Sequence, residues 1–180
     1  MRSGGPLLCL AASVLLATDA MAADQPELDC DAPAPQVQTP VTRADLNLLI
    51  GWIALKTEYD LTSVYRNPPE IVFCDVGDVV DYEAEGLLVD ELLSATYDLS
   101  RRRITLVQPW TAEDPYDLSV LLHEVIHAVQ LDNRDWPCIG APEWEAYNLQ
   151  ALWLAEHGVL PVFDWDFVFT LSQCPPDASD

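Results

Sequence analysis

One stretch decides the fold of this chain: Leu121-Leu122-His123-Glu124-Val125-Ile126-His127-Ala128-Val129-Gln130, which carries the pattern H-E-x-x-H inside an apolar run. On an α-helix, His123 and His127 lie four residues apart, so both imidazoles leave the same face and can occupy two positions of one tetrahedral Zn²⁺. Glu124 is turned about 100° around the helix. It would therefore lie beside the metal, where a general base takes a proton from a zinc-bound water.

The residues before this pattern predict a capped, amphipathic helix. Asp114 offers a side-chain cap and Pro115 suits the first helical position, so the helix begins there. The apolar face comprises Leu118, Leu121, Leu122, Val125, Ala128 and Val129. The opposite, polar face comprises Tyr116, Ser119, His123, His127 and Gln130. We therefore expect both histidines on the polar side of the helix, whereas a structural core histidine would lie in the apolar stripe.

A catalytic zinc needs a third protein ligand, with the fourth position left to water. The metzincin continuation of the pattern requires a glycine and a further histidine downstream. Gln130 and Asn133 occupy those places, which excludes that type of site. The next helix, which starts near Pro142, offers two glutamates instead, Glu143 and Glu145.

Glu143 and Glu145 point about 200° apart on a helix, so only one of them can join the histidines. We expect Glu145 to be the ligand, because its face continues as an inward stripe through Asn148, Leu149 and Leu152. An exposed acid in the first helical turn, such as Glu143, is explained by the helix dipole. Glu143 stays the alternative.

The order His123-Glu124-Val125-Ile126-His127, a loop, then Glu145 on a second helix resembles the gluzincin group of zinc metallopeptidases. It is also similar to small secreted bacterial proteins in which a Tyr-Asp turn and a strand precede the H-E-x-x-H helix. Here those elements are Tyr97-Asp98 and Ile104 to Val107, and the similarity spans roughly residues 95–155.

The resemblance implies an α+β, zincin-like domain, with a small antiparallel or mixed sheet packed on the H-E-x-x-H helix and on the ligand helix that follows. It implies Zn²⁺ held by His123, His127 and Glu145, with Glu124 as the catalytic base. It also implies a strand at the sheet edge that pairs with extended substrate, and Ile104 to Gln108 is the segment in that place.

Peptidases of this group add a Tyr or His that hydrogen-bonds the oxyanion, and the sequence does not identify one. His157 lies too far along the helix of Glu145, roughly 18 Å away, and is interpreted as a helix C-terminal residue. Tyr147 is two residues from Glu145 and is expected to point away. Tyr97 and Tyr116 stay candidates, and the polar residues that could orient the ligands are Gln130, Asn148 and Asp117.

The N-terminus predicts secretion. Arg2 precedes an apolar run from Pro6 to Ala17, and Ala20-Met21-Ala22 supplies the small residues that a signal peptidase reads. We therefore divide the chain into a signal peptide over residues 1–22, an extended Pro-rich lead-in over 23–40 and a single zincin-like domain over 41–180. The mature protein is expected in the periplasm or outside the cell.

The cysteines agree with an oxidising compartment. Four remain once Cys9 leaves with the signal peptide, and their long separations favour two disulfides over a zinc site. Three pairings are possible. We favour Cys30–Cys74 with Cys138–Cys174, because each bridge then clips one half of the chain.

The net charge of −22 makes nucleic acid and anionic lipid unfavourable partners. Solubility explains this charge, with attraction of basic substrates or of Ca²⁺ as the alternative. After signal cleavage we expect no membrane association, a monomer, and a peptide or protein as the substrate.

Two further segments predict the framework in the first half of the chain. Thr42 to Asp45 is a helix N-cap, followed by apolar residues at helical spacing up to about Tyr59. Ile71 to Cys74 is a short strand. The acidic stretch that follows has no clean period, and Leu87 to Leu93 is predicted as a helix.

In the second half, Ser94 to Asp98 and Ile104 to Val107 predict a β-hairpin. Three arginines, Arg101 to Arg103, lie between the strands and are interpreted as solvated turn residues rather than as a substrate contact. Phe163 to Phe169 is predicted to be a short terminal helix or strand that packs on the site helices. An aromatic substrate subsite is the alternative for this segment.

The sequence supports two functions from different classes. The first is a secreted zinc metallopeptidase that hydrolyses peptide bonds. The alternative is a binding or structural module that keeps a zincin scaffold without turnover, which the missing oxyanion donor and the small size favour. A third reading is a metal-free disulfide domain in which H-E-x-x-H arises by chance.

Overall fold

The computed structural model of the protein describes Cys30, residues 41–82 and residues 85–175. The predicted signal peptide, and the predicted lead-in apart from Cys30, lie outside the described residues. The described chain is α+β, with a small mixed sheet and several helices. Its elements are α1 (Arg43–Lys56), α2 (Thr62–Arg66), β1 (Glu70–Cys74), β2 (Val79–Tyr82), β3 (Glu85–Leu88), β4 (Ala95–Asp98), β5 (Arg103–Val107), α3 (Pro115–Asn133), α4 (Glu143–Glu156) and α5 (Trp165–Leu171).

The predicted helix starts are confirmed at α1 and α3. Thr42 and Asp45 form a capping box at α1, which ends at Lys56, three residues before the predicted limit. At α3, the Asp114 side chain accepts a hydrogen bond from the Tyr116 amide at 2.7 Å, and Pro115 takes the first helical position. Local capping chemistry therefore sets where the H-E-x-x-H helix begins.

The larger sheet has three strands in the order β1-β5-β4. The predicted hairpin is confirmed, because β4 and β5 pair antiparallel. β1 adds to the other side of β5 in parallel, so β5 is the central strand and β4 is an edge. The expectation that Ile104 to Gln108 forms the edge strand is wrong, because pairing with the distant Glu70–Cys74 segment occupies that side of β5.

A second, two-stranded sheet pairs β2 with β3 antiparallel. The predicted helix over Leu87 to Leu93 is wrong, since Leu87 and Leu88 lie in β3. Val80 and Val89 instead bury themselves against Cys74, which forms a disulfide with Cys30. The second disulfide joins Cys138 to Cys174, so the favoured pairing of the four cysteines is confirmed.

Helix α3 runs through the core and is buried on every side from Ser119 to Gln130. Its apolar face packs with the sheet and α1, and α4 covers the opposite face. The histidines lie on the polar face of α3, as expected, and α4 buries that face. The side chains buried to 0% exposure include Leu49, Ile50, Ile53, Ile104, Leu106, Leu121, Leu122, Val125, Ile126 and Leu154.

The arginine turn is confirmed as a turn, but two of its members are ion-paired rather than solvated: Arg102 with Asp132 and Arg103 with Glu70. Arg102 donates to Asp132 Oδ1 at 2.6 Å and to the carbonyl of Asn67 at 2.9 Å. The bond ties the β4–β5 hairpin to the last turn of α3. Among the described helices, none has the length and hydrophobicity needed to cross a bilayer.

Candidate metal centre

Three potential ligands converge between α3 and α4. Nε2 of His123 and Nε2 of His127 lie 3.0 Å apart. The Glu143 carboxylate approaches both of them, with one oxygen 3.2 Å from His123 Nε2 and the other 3.4 Å from His127 Nε2. All three residues are buried or half-buried. They form a group that could bind a metal ion.

Two glutamines hold the histidines from behind. His123 Nδ1 lies 3.1 Å from Gln150 Oε1, and His127 Nδ1 lies 2.9 Å from Gln130 Oε1. Each glutamine is oriented through its amide nitrogen: Gln150 donates to Ser119 Oγ, and Gln130 donates to the carbonyl of Pro142. Both Oε1 atoms must therefore accept, so both Nδ1 atoms carry the hydrogen.

This hydrogen bonding determines what the other ring nitrogens can do. A neutral imidazole with its hydrogen on Nδ1 has a lone pair on Nε2. Two such lone pairs then face each other across 3.0 Å, beside both oxygens of the Glu143 carboxylate. Four electron-rich atoms repel one another in a buried space unless a cation lies among them.

The spacing of these atoms fits a small metal ion. A tetrahedral ion with bonds of about 2.1 Å holds its ligand atoms about 3.4 Å apart. The distances found here are 3.0, 3.2 and 3.4 Å. A second group, Cys30, Cys74 and Asp78, is also compact, but its two sulfurs are joined in the disulfide and offer no thiolate.

The charges of the cluster support one another. Burial alone would raise the pKa of Glu143, but its contacts with the His123 and His127 imidazoles, which oppose burial when they carry a proton, outweigh it and lower this pKa to about 2. Burial alone would lower the pKa of His127, but Glu143 and Glu124 outweigh it and raise the pKa. The protein therefore stabilises positive charge between these side chains and keeps Glu143 ionised.

A protein-family profile described as "Domain of unknown function (DUF6647)" matches residues 38–179, most of the chain. The chain belongs to the DUF6647 family. No curated protein and no solved structure matches this DUF6647 chain. The family and these comparisons assign no function to the centre, so its geometry carries the evidence for one.

In this DUF6647 domain, the structure brings Glu143 to the histidines and does not bring Glu145, so the expected ligand set is corrected. Glu145 accepts hydrogen bonds from Tyr59 Oη at 2.6 Å and from Gln130 Nε2 at 3.0 Å. The stripe that favoured Glu145 does not face inward, because Asn148 and Leu152 are exposed. Glu145 instead fixes the glutamine that orients His127.

Tyr147 was expected to point away from the centre and does not. Its ring lies edge-on to the His123 ring, with centroids 4.5 Å apart, and it lines the cleft above the centre. The expectation is wrong because it took the direction of Tyr147 from its two-residue spacing to Glu145. Tyr147 is four residues after Glu143, the residue that meets the histidines, and shares its face of α4. Burial, with Glu143 and Glu124 nearby, raises the pKa of Tyr147 to about 12.

The other predicted polar residues divide into near and far. Gln130 orients His127 as expected. Tyr97 lines the cleft, and its buried hydroxyl makes no hydrogen bond to a described residue.

The other polar residues have partners elsewhere. Asn148 donates to the Trp144 carbonyl of its own helix, and Asp117 accepts from the Thr111 amide. Tyr116 is 41% exposed at the start of α3. Gln150, which the sequence analysis did not single out, is the partner of His123.

Glu124 lies beside the centre in a cleft of about 610 Å³. Burial raises the pKa of its carboxyl group, an effect that His123 and His127 partly oppose. The floor of the cleft contains Glu124 and the two histidines, and edge strand β4 forms one side. Residues of the α3–α4 loop and of α5 also line the cleft, among them Trp136, Cys138, Ile139 and Leu171.

Proposed function

We propose that this chain is a secreted, zincin-like zinc peptidase. The observation that carries the proposal is the convergence of two Nε2 lone pairs and the Glu143 carboxylate within 3.0–3.4 Å, at a place where both Nδ1 hydrogens are already engaged. Two imidazoles and one carboxylate form a ligand set typical of catalytic zinc. The two disulfides support secretion into an oxidising compartment.

In this proposal His123, His127 and Glu143 hold the zinc ion, and Glu124 is the general base. When bound, zinc supplies a Lewis acid that makes water acidic enough to ionise near neutral pH. The Glu124 carboxylate takes the proton from the attacking water and passes it to the leaving amine. The burial of Glu124 in the cleft supports this role, because it holds the carboxyl group beside the proposed ligands.

Tyr147 is the residue we propose as the oxyanion donor that the sequence did not identify. Its ring contacts His123, and a pKa of about 12 keeps its hydroxyl protonated at neutral pH, as a hydrogen-bond donor must be. Phe163 packs edge-on against the other part of the ring at 5.2 Å and limits its movement. The donor is thus supplied by the same helix as the third ligand.

The substrate is proposed to bind as an extended strand along β4. This strand is hydrogen-bonded to β5 on one side only among the described strands, and Ala95, Thr96 and Tyr97 line the cleft. An unpaired strand edge offers main-chain donors and acceptors to an extended peptide. This role replaces the one expected for Ile104 to Gln108.

The test is metal content and hydrolysis in three proteins. The wild type is expected to bind about one zinc per chain and to cleave an unfolded protein or peptide mixture. His123→Ala should lose the metal, because it removes one of the three ligands. Glu124→Gln should keep the metal and lose hydrolysis by about 10² or more. A purified wild type that neither carries zinc nor takes it up in a titration would end this proposal.

The alternative is a zincin-scaffold module that binds metal or a partner without turnover. The missing oxyanion donor and the small size favoured it at the level of sequence, and the contact of Tyr147 with His123 supports the peptidase against the first of these reasons. Stoichiometric zinc binding by the wild type, with no cleavage across a broad peptide library, would select the module over the peptidase.

A further inference from the structure

Helix α5 exposes aromatic side chains to an unusual degree. Val168 is the only residue of this seven-residue helix that is buried, whereas Phe167 is 59% exposed and Phe169 is 57% exposed. Trp144 of α4, 45% exposed, contacts Trp165 and Phe169 with ring centroids 5.8 and 6.1 Å apart. We refer to Trp144, Trp165, Phe167 and Phe169 as the α5 surface. Exposed apolar side chains that adjoin one another in this way mark an interaction site, whereas single exposed ones are normal on any protein surface.

The charged residues of the chain from Asp135 onward are acidic, whereas Arg134, which lines the adjoining cleft, is basic. From Asp135 to Asp180 the sequence contains eight Asp and Glu residues and no Lys or Arg. Asp164 and Asp166, both exposed, alternate with the aromatic residues on α5 itself. Aromatic faces and carboxylates together attract groups that are both apolar and cationic, whereas the same carboxylates repel anionic lipid.

The α5 surface is also continuous with the cleft. Phe167 and Leu171 are four residues apart and share a face of α5. Leu171 lines the cleft together with Ile139 of the α3–α4 loop. The Cys138–Cys174 disulfide fixes the end of α5 to that loop, so the surface is held beside the cleft.

We propose that the α5 surface is a docking site for cationic amphipathic polypeptide segments, in which lysine or arginine alternates with apolar side chains. The apolar side chains would pack on the aromatic rings, and the cations would pair with Asp164 and Asp166. The surface needs neither zinc nor hydrolysis, so this inference is independent of the proposed function.

The experiment measures binding of a designed peptide to the Glu124→Gln chain, which cannot consume the probe. The probe is an amphipathic helix of leucine and lysine, roughly 18 residues long. Two matched peptides carry glutamate in place of lysine, or serine in place of leucine. The leucine–lysine peptide should bind at least about tenfold more tightly than either matched peptide, and more weakly as salt is added.

Variants of the protein locate the binding. Phe167→Ser with Phe169→Ser should weaken binding of the leucine–lysine peptide about tenfold, while Leu55→Ser, at a still more exposed apolar residue of α1, should leave it unchanged. Asp164→Asn with Asp166→Asn should reduce the salt dependence; asparagine keeps the helix cap that Asp164 provides. Circular dichroism confirms that each variant is folded.

Three results would overturn the inference. One is equal binding of the lysine and glutamate peptides. Another is unchanged binding by the Phe167→Ser, Phe169→Ser chain. The third is that another molecule occupies the surface. That molecule would be a second copy of the chain, if the wild type is a dimer that these substitutions dissociate, or a lipid, if the wild type binds phosphatidylglycerol vesicles and not the peptide.

Discussion

Glu143 and Glu145 are two positions apart on α4, yet their carboxylates have different surroundings. Glu143 faces the two histidines, and its side chain is 20% exposed. Glu145 faces Tyr59, Gln130 and Arg134, and its side chain is 38% exposed. The first can bind a metal directly, whereas the second acts through Gln130.

The pair provides a matched test on one helix. Glu143→Gln should weaken zinc binding by more than about 100-fold, because a charged ligand is lost. Glu145→Gln should weaken it by about tenfold or less, because it only loosens the glutamine behind His127. Competition with a zinc-sensitive dye measures both affinities. Equal losses in the two variants would contradict the ligand set proposed here.

Tyr147 can be tested by removing one oxygen atom. Tyr147→Phe keeps the ring contact with His123 and should leave zinc content and KM unchanged, but lower kcat about 10²-fold if the hydroxyl donates to the oxyanion. Tyr116→Phe, at the exposed start of α3, is the control and should retain full activity. A Tyr147→Phe enzyme with normal kcat would assign the oxyanion to another donor.

At the scale of elements, α4 determines the composition of the centre. Glu143, Tyr147 and Gln150 follow one another at spacings of four and three residues, so they share the face that packs on α3. That face supplies a ligand, a hydroxyl and a partner for His123. The buried residues Ala146 and Trp153 continue the same broad side of the helix. Extended back by one turn from Ala146, this buried stripe reaches Glu143. The spacing of these residues in the sequence therefore already favoured Glu143 over Glu145 as the inward-facing glutamate.

The α3–α4 loop and α5 are joined where Gly140 meets Leu171. A Cβ added to Gly140 would lie 2.1 Å from the Leu171 carbonyl oxygen, so any side chain forces the backbone apart. Gly140→Ala should lower the free energy of unfolding by about 1–3 kcal/mol. Gly51→Ala is the control: the new methyl group would lie 3.8 Å from the Tyr65 hydroxyl, and alanine should stabilise α1 by about 0.5–1 kcal/mol.

Urea unfolding of both glycine variants measures these changes. A Gly140→Ala protein as stable as the wild type would show that α5 can move away from the loop without loss. In that case this side of the cleft would be less firmly fixed than the close approach indicates.

At the scale of the whole molecule, one core organises the chain around α3. Helix α1 and the three-stranded sheet pack against its apolar face, and α4 closes the other. The two disulfides fasten the periphery: one joins the segment at Cys30 to β1, and the other joins the α3–α4 loop to the chain after α5. The candidate metal centre therefore lies inside the fold and lines the cleft.

Three buried or half-buried tyrosines determine how the stability of the fold should respond to alkaline pH. Burial is the largest cause of the raised pKa of Tyr59, Tyr97 and Tyr147, each to about 12 from an ordinary value of 10.0. Because the folded-state pKa is the higher one, the stability that this contributes is present in full below about pH 10 and is lost as the pH rises toward 12.

We expect the melting temperature to fall steeply over that range, together with the rise of tyrosinate absorbance. Tyr97→Phe should make the fall shallower, because it removes one titrating group whose pKa is raised in the folded state. The removed hydroxyl has no partner among the described residues, so no hydrogen bond is lost with it. Tyr65→Phe, at an exposed tyrosine, serves as the control. A fall that is identical in wild type and Tyr97→Phe would exclude Tyr97 from the effect.

The sequence by itself determined what depends on neighbours along the chain. The caps at Thr42 and Asp114, the four-residue spacing of His123 and His127, and the β4–β5 hairpin all follow from local chemistry and periodicity, and the structure has them. The favoured disulfide pairing also holds, although it rested only on the division of the chain into halves.

Only the tertiary structure decided which side chains meet across distant elements. The choice between Glu143 and Glu145, and with it the position of Tyr147, depends on how α4 is rotated where it packs on α3; apolar spacing permitted both rotations. The central place of β5 depends on β1, more than 25 residues earlier in the chain. The face of α3 that carries H-E-x-x-H is polar by its residues and buried by its neighbours, and α4 adds Glu143 to form a group that could bind a metal ion.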